Sequence, residues 1–296
     1  MLKGIIKSLR IKQWTKNVFV FAALVFDRQL TNRNATIQTI LGAFLFCLLS
    51  SSVYLINDVL DIEADKTHPT KKNRPIASGQ LPIPIALFTS FLLAVFSLVI
   101  AYKLSLNFTL IGAFYLVINL LYSKWLKKIP IIDVLFIALG FVLRVGAGVT
   151  LVSVERFSPW LYVVTSLGAL YIGFGKRRAE LTLLKSTANK HREVLNGYSL
   201  PFLDQLITIV SSTTIIAYSL YTFSAPNLPE NHYMMLTIPF VLYGIFRYLY
   251  LIKEKEYGGS PEDLLLTDRP LQACILLWGI SVGLIFYSDK LVSLLR

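Results

Sequence analysis

Apolar runs close to bilayer length recur along the whole chain, and this pattern constrains its fold more than any other feature. They fall at about 17–26, 37–60, 82–104, 108–122, 131–152, 159–175, 202–223, 233–252 and 271–287. A helix needs about 20 apolar residues to cross the hydrocarbon layer, and a lipid-embedded backbone must satisfy its own hydrogen bonds. Only 16% of the 296 residues are charged, against about 25% in a soluble domain. The expectation is an all-α, polytopic membrane protein: nine transmembrane helices around a cytoplasm-facing cavity, forming a single domain over 1–296. Residues 1–16, basic and amphipathic, read as an interfacial helix with Trp14 at headgroup level, leading into the first span without a cleavable signal. Residues 9–16 are expected to continue that first helix. Pro82 and Pro84 fit the first turn of the third span.

Counting cations sets the orientation. Twenty-two of the 29 Lys and Arg residues fall at the N-terminus and after the even-numbered spans, six on the opposite side, and Arg144 within the fifth span. The side rich in Lys and Arg is cytoplasmic, which places the N-terminus inside and the C-terminus outside. The net charge of +12 therefore reflects topology and anionic substrates, and no nucleic-acid partner is expected. Cys47 and Cys274 lie inside apolar runs without metal-ligand spacing and read as packing residues.

The second run ends in Asn57-Asp58-x-x-Asp61-x-x-x-Asp65. Offsets of three and four stack the three carboxylates on one helical face, leaving Glu63 off it. Like charges on one stripe need a counter-charge, and oxygen-only ligands at a membrane surface suit Mg²⁺. Asn57, Asp58, Asp61 and Asp65 are the candidate metal ligands. Lys66, Lys71, Lys72 and Arg74 follow at once and suit the remainder of a phosphorylated substrate. A snorkelling helix end with a charged loop would explain these cations but not the aligned acids.

Other polar groups collect on the same side. Lys12, Gln13, Lys16 and Asn17 open the chain, and Tyr122, Lys124 and Lys127 follow the fourth span, where an ordinary positive loop is the competing reading. Asp133 and Arg144 share a face of the fifth span, either as an intramembrane pair or with Arg144 reaching an anion. Lys176, Arg177 and Glu180 put two cations and a carboxylate within about one turn. Here Arg177 contacts a phosphate with Glu180 orienting it, or Lys176 and Glu180 form an ordinary surface pair. The two charged helix ends are expected to face each other across the cavity. Pro261-Glu-Asp-Leu-Leu-Leu-Thr-Asp-Arg269 reads as a cap over the site or as the start of the last span, with Asp268 as N-cap. Mg²⁺ on a diphosphate stabilises a leaving group without a protein nucleophile, and the location calls for a lipid co-substrate.

The Asn57–Asp65 motif together with nine spans resembles the UbiA superfamily of intramembrane prenyltransferases. Where most members carry a second Asp-rich motif after span 6, this chain has Gly175-Lys-Arg-Arg-Ala-Glu180-Leu. That variant, with Lys12-Gln-Trp-Thr-Lys-Asn17, the run His68–Gly79 and the segment ending in Arg269, is similar to the decaprenyl-phosphate phosphoribosyltransferase branch. The resemblance implies Mg-dependent transfer of 5-phosphoribose from phosphoribosyl diphosphate to a polyprenyl phosphate at a bacterial-type plasma membrane. It implies catalytic roles for Asp58, Asp61, Lys176, Arg177 and Glu180. Substrate contacts fall to Lys12, Gln13, Lys16, Asn17, Asn57, Lys72, Arg74, Tyr122, Lys124, Lys127, Arg144 and Arg269. The alternatives are a conventional prenyltransferase with an aromatic or glycerol-phosphate acceptor, which calls for a second acidic cluster, and an anionic-solute transporter, which calls for midplane charges. Oligomeric state and prenyl length stay open.

Overall fold

A computed structural model describes residues 1–68, 70–153, 158–184, 193–226, 228–255, 264 and 267–295. All regular elements among them are helical. They gather into two compact units: residues 1–25, 29–154 and 186–198, and residues 26–28, 155–185 and 199–296.

The first unit is built around α3 (Arg33–Leu60). Asn32 caps its start, the side-chain oxygen accepting from the amides of Asn34 and Ala35. Of its apolar window 67% is buried, against 17% for α5 (Ile83–Leu104), so α3 forms the interior. The outer helix α5 turns Phe88, Phe91 and Phe96 outward, as hydrocarbon permits and water does not. The two helices touch through Ser52 and Ser90, whose hydroxyls donate to each other's backbone carbonyls at 3.0 and 2.9 Å. Small polar residues allow such close helix contact in a membrane. α6 (Leu106–Lys124) and α7 (Ile132–Val149) complete the unit, with Phe46, Leu49, Phe108 and Tyr115 in its core. Gly148 of α7 is obligatory, because a β-carbon there would lie 2.0 Å from the Val20 carbonyl oxygen.

The N-terminal segment departs from expectation. Helix α1 (Leu2–Ser8) stops, Arg10 turns left-handed at φ 52°, and residues Ile11–Phe21 continue as a 3-10 helix into α2 (Ala22–Phe26). The helix expected from residue 9 onward therefore begins at Ile11, in 3-10 form, after a break at Arg10. Trp14 donates to Ser51 Oγ on α3 at 3.0 Å. The Asp133–Arg144 pairing is also corrected. Eleven residues bring two side chains to one face but separate them by about 16 Å along the axis. Arg144 donates instead to Asn17 Oδ1, the Gly140 carbonyl and the Tyr115 hydroxyl at 2.7–3.0 Å. Asp133 accepts from the Tyr198 hydroxyl at 2.7 Å.

In the second unit α8 (Pro159–Leu184) packs on α9 (Leu200–Ser224), and α10 (Ile238–Lys253) packs on α11 (Arg269–Leu295). Tyr171 on α8 reaches α10 by donating to the Ile245 carbonyl at 2.7 Å. Among the described residues seven helices are long and apolar enough to cross a membrane: α3, α5, α6, α7, α9, Tyr233–Lys253 and Arg269–Tyr287. The expected first and sixth spans correspond to Ile11–Phe26 and α8, which are not among those seven. Cys47 and Cys274 are buried and unpaired, as their apolar settings suggested.

Candidate functional site

Two polar clusters stand at helix ends, one in each unit. In the first unit α3 ends at Leu60, Asp61 occupies the junction, and α4 (Ile62–Thr67) continues the chain. Helical hydrogen bonding runs through the junction, from Asp61 N to the Asn57 carbonyl and from Asp65 N to the Asp61 carbonyl, at 2.9 and 2.8 Å. The register of the acidic stripe survives the break. Asp58 and Asp65 are almost fully buried at 2% and 3% exposure, while Glu63 is solvated and pairs with Lys66.

Each carboxylate of the stripe meets a cation. Asp58 accepts from Arg10 and, at 3.0 Å, from Arg74 Nη1; the same Nη1 donates to Asp65 Oδ2 at 2.6 Å. Asp61 accepts from Lys127. The counter-charges that the spacing alone assigned to a metal are thus two arginines and a lysine. Arg74 is aimed by the 74–81 turn, whose Ile76 and Leu81 are buried against Leu55, with Val59 and Ile62 packed on them. Lys7 fixes the preceding turn by donating to the Asn73 carbonyl at 3.0 Å.

Arg10 is the site residue that helical periodicity missed. Its guanidinium lies over the Tyr54 ring, 5.1 Å from the centroid. Its backbone is pinned on both flanks to Ser51, which donates to the Leu9 carbonyl at 2.9 Å and accepts from Trp14. A left-handed arginine costs about 1–3 kcal/mol and persists only where its surroundings hold it. The break swings Arg10 onto α3 and leaves Lys12 exposed. Its only sequence signal is its place in the basic opening segment.

The other expected residues of this unit divide in two. Asn17 and Arg144 are buried and belong to the scaffold: Asn17 donates toward Cys47 Sγ and Ser50 Oγ, and every nitrogen of Arg144 is hydrogen-bonded to protein. Gln13, Lys16 and Tyr122 are half-buried, while Lys72 is exposed. Lys124 is also exposed and lies over the Trp125 ring at 4.5 Å. The structure brings neither Lys72 nor Lys124 onto the carboxylates.

A hard divalent cation suits the donor chemistry here. The donors are all oxygen, and Asn57 Oδ1 is buried without a hydrogen-bond partner, an atom able to accept a cation at little cost. Among the described residues no three acidic, His or Cys side chains are grouped to hold a metal, and the carboxylates of the stripe accept from Arg10, Arg74 and Lys127.

In the second unit the last turns of α8 carry Lys176, Arg177, Arg178 and Glu180. Arg177 is 1% exposed and donates to Glu180 Oε2 at 2.6 Å, so Glu180 orients Arg177. Arg178 donates to Asp204 Oδ1 at 2.8 Å and to the Ile252 carbonyl at 2.9 Å, and Lys253 also reaches Asp204. Asp268 caps α11, accepting from the Leu271 amide at 2.9 Å, and is gripped by Arg247 through both oxygens. The hydrogen-bonded Arg247 guanidinium holds the Asp268 carboxyl below the usual carboxylate range. Arg269 is exposed at the start of α11. Pro69, Arg156 and, in the proposed cap, 261–263 and 265–266 lie outside the described residues.

Comparison with known proteins places these clusters in a family context. The decaprenyl-phosphate phosphoribosyltransferase of Mycolicibacterium smegmatis is 34% identical over 97% of this chain and 93% of its own length. The enzyme of the same name from Corynebacterium glutamicum is 32% identical over 96% and 87%. Among solved structures, a UbiA homolog from Archaeoglobus fulgidus bound to GPP and Mg²⁺ superposes with a TM-score of 0.74 at 19% identity. It covers 94% of this chain and 99% of that one, a likeness of fold. The UbiA prenyltransferase family matches residues 18–261, a stretch running through both units and containing the acidic stripe and the α8 cluster. The chain belongs to the UbiA prenyltransferase family.

Proposed function

We propose that this protein transfers 5-phosphoribose from phosphoribosyl diphosphate to a polyprenyl phosphate, releasing diphosphate. Likeness to the decaprenyl-phosphate phosphoribosyltransferases over 97% of the chain carries the reading. The composition of the α8 end supports it: Lys176, Arg177 and Arg178 stand where a prenyl-diphosphate enzyme is expected to have acids. A donor with a diphosphate and a 5-phosphate needs more cations than a prenyl diphosphate does.

In this reading an oxygen of the lipid phosphate attacks C1 of the ribose as the bond from C1 to the diphosphate oxygen breaks, its electron pair leaving with the diphosphate. A phosphomonoester is already anionic near neutral pH, so no strong base is required, and Glu180 acts by orienting Arg177. Asn57, Asp58, Asp61 and Asp65 would hold Mg²⁺, which neutralises the departing diphosphate when bound. Arg74, Lys127, Lys12, Lys16 and Tyr122 serve substrate phosphates at the α3 end, and Lys176 and Arg177 serve substrate phosphates at the α8 end. Asn17 and Arg144 hold the scaffold. The reading includes nine spans, a cytoplasmic N-terminus and active site, an outward C-terminus and residence in a bacterial-type plasma membrane.

The test is purified protein in detergent with Mg²⁺, labelled phosphoribosyl diphosphate and a polyprenyl phosphate, scored for label in the lipid phase and for released diphosphate. Wild type is expected to transfer label, and Asp58→Asn and Lys176→Ala to lose at least about 100-fold. Prenylation of a small acceptor from a prenyl diphosphate, without label transfer, would establish the conventional activity instead.

A further inference from the structure

The charges of the first cluster cancel: Asp58, Asp61 and Asp65 stand against Arg10, Arg74 and Lys127. A neutral cluster has little net attraction for a lone dication or a lone polyanion. Yet the same side chains suffice for both if partners are exchanged. We infer that Arg10 and Arg74 are exchangeable counter-ions, giving up Asp58 and Asp65 to a divalent metal and turning to the diphosphate, so that metal and diphosphate each bind well only with the other.

The geometry around Arg10 suits this exchange. Its backbone is held through Leu9 and Trp14 by Ser51, while its side chain is 23% exposed. The Tyr54 ring beneath the guanidinium offers a face that holds the cation whether or not Asp58 accepts from it. Arg74 bridges two carboxylates through one nitrogen, Nη1, leaving its other donors for an anion. The unpartnered Asn57 Oδ1 supplies a metal donor that no arginine blocks. By linkage, whatever factor diphosphate adds to metal affinity, metal adds to diphosphate affinity, and such couplings are typically about 5–150-fold.

The inference rests on the metal and diphosphate part of the proposed function and not on the choice of donor or acceptor. Its test therefore uses Mn²⁺ and inorganic diphosphate with the full-length protein. Mn²⁺ binding alone is followed by electron paramagnetic resonance, and binding of labelled diphosphate is measured at saturating Mn²⁺. Arg10→Gln is expected to bind Mn²⁺ alone about tenfold more tightly than wild type, because Asp58 loses a competing cation, and to bind diphosphate about tenfold more weakly. Arg10→Lys should resemble wild type in both. Arg74→Gln should shift both affinities in the same directions, giving a second readout if Arg10→Gln does not fold. Mn²⁺ affinity that is unchanged or weaker in both glutamine variants overturns the inference and makes Arg10 and Arg74 purely structural. Opposite shifts of the two affinities support it even if the transfer assay identifies a prenyl diphosphate as donor.

Discussion

The end of α3 and the end of α8 both crowd acids and cations into a few residues, yet they dispose of charge differently. At α3 the acids find partners 9 to 66 residues away in sequence, so α4, the 74–81 turn, the N-terminal segment and the loop after α6 are tied together through them. At α8 the pair Arg177–Glu180 closes within one turn of a single helix, and cations outnumber acids there. The first cluster is balanced and holds distant segments in register; the second is positive, with Arg178 and Lys253 linking α8 and α10 to Asp204 on α9. A balanced cluster responds to a ligand by rearranging, whereas a positive one attracts anions as it stands.

Substitutions can break this contrast, beginning with the largest effect. Asp58→Ala removes the shared partner of Arg10 and Arg74, leaving two part-buried cations short of a carboxylate. We expect about 3 kcal/mol lower stability together with loss of transfer activity, read by thermal melting and the label assay. A stable, active variant would show that the α3 cluster is not the knot described. Arg177→Met should cost about 1.5–3 kcal/mol and raise KM for phosphoribosyl diphosphate about tenfold or more. A loss of stability with KM unchanged would reduce the α8 cluster to scaffolding. Lys127→Ala, which frees Asp61, should lower kcat/KM about tenfold, whereas exposed Lys72→Ala should change it less than about threefold. Equal effects would mean that pairing to the stripe does not rank the cations.

The smallest expected effect concerns pH. Asp268 is held below the ordinary carboxylate range by its hydrogen bond from Arg247. Its contribution is therefore fully present above the unfolded-state pKa of about 3.9 and is lost as pH falls through the lower folded-state value. Melting temperatures of wild type and Asp268→Asn should differ at pH 6 and converge as pH falls through the lowered folded-state value. A difference that persists in acid would assign the effect to the helix cap rather than to charge.

What could be read from the sequence follows from which regularities held. The acidic stripe was legible because its hydrogen bonds keep helical register through Asp61. The apolar runs were legible because hydrocarbon demands them, and they recur as helices with bounds shifted by a few residues. Arg10 was not legible, because one left-handed residue cancels the period on which facing was judged and gives the N-terminal segment 3-10 geometry. The pairing of Asp133 with Arg144 fails because a helical wheel records angle and ignores rise. Arg144's partners, Asn17 and Tyr115, come from elements far away in sequence, and only packing brings them together.

Arg144 also bears on how the chain is made. An arginine within an inserting helix costs up to about 2.5–3.5 kcal/mol, so α7 carries a penalty that its neighbours must offset. Its hydrogen-bond partners, Asn17 and the Tyr115 hydroxyl, both precede it in the chain and leave the ribosome first. The buried arginine is thus synthesised after the groups that accept its protons, and the order of translation follows the order in which its solvation must be assembled.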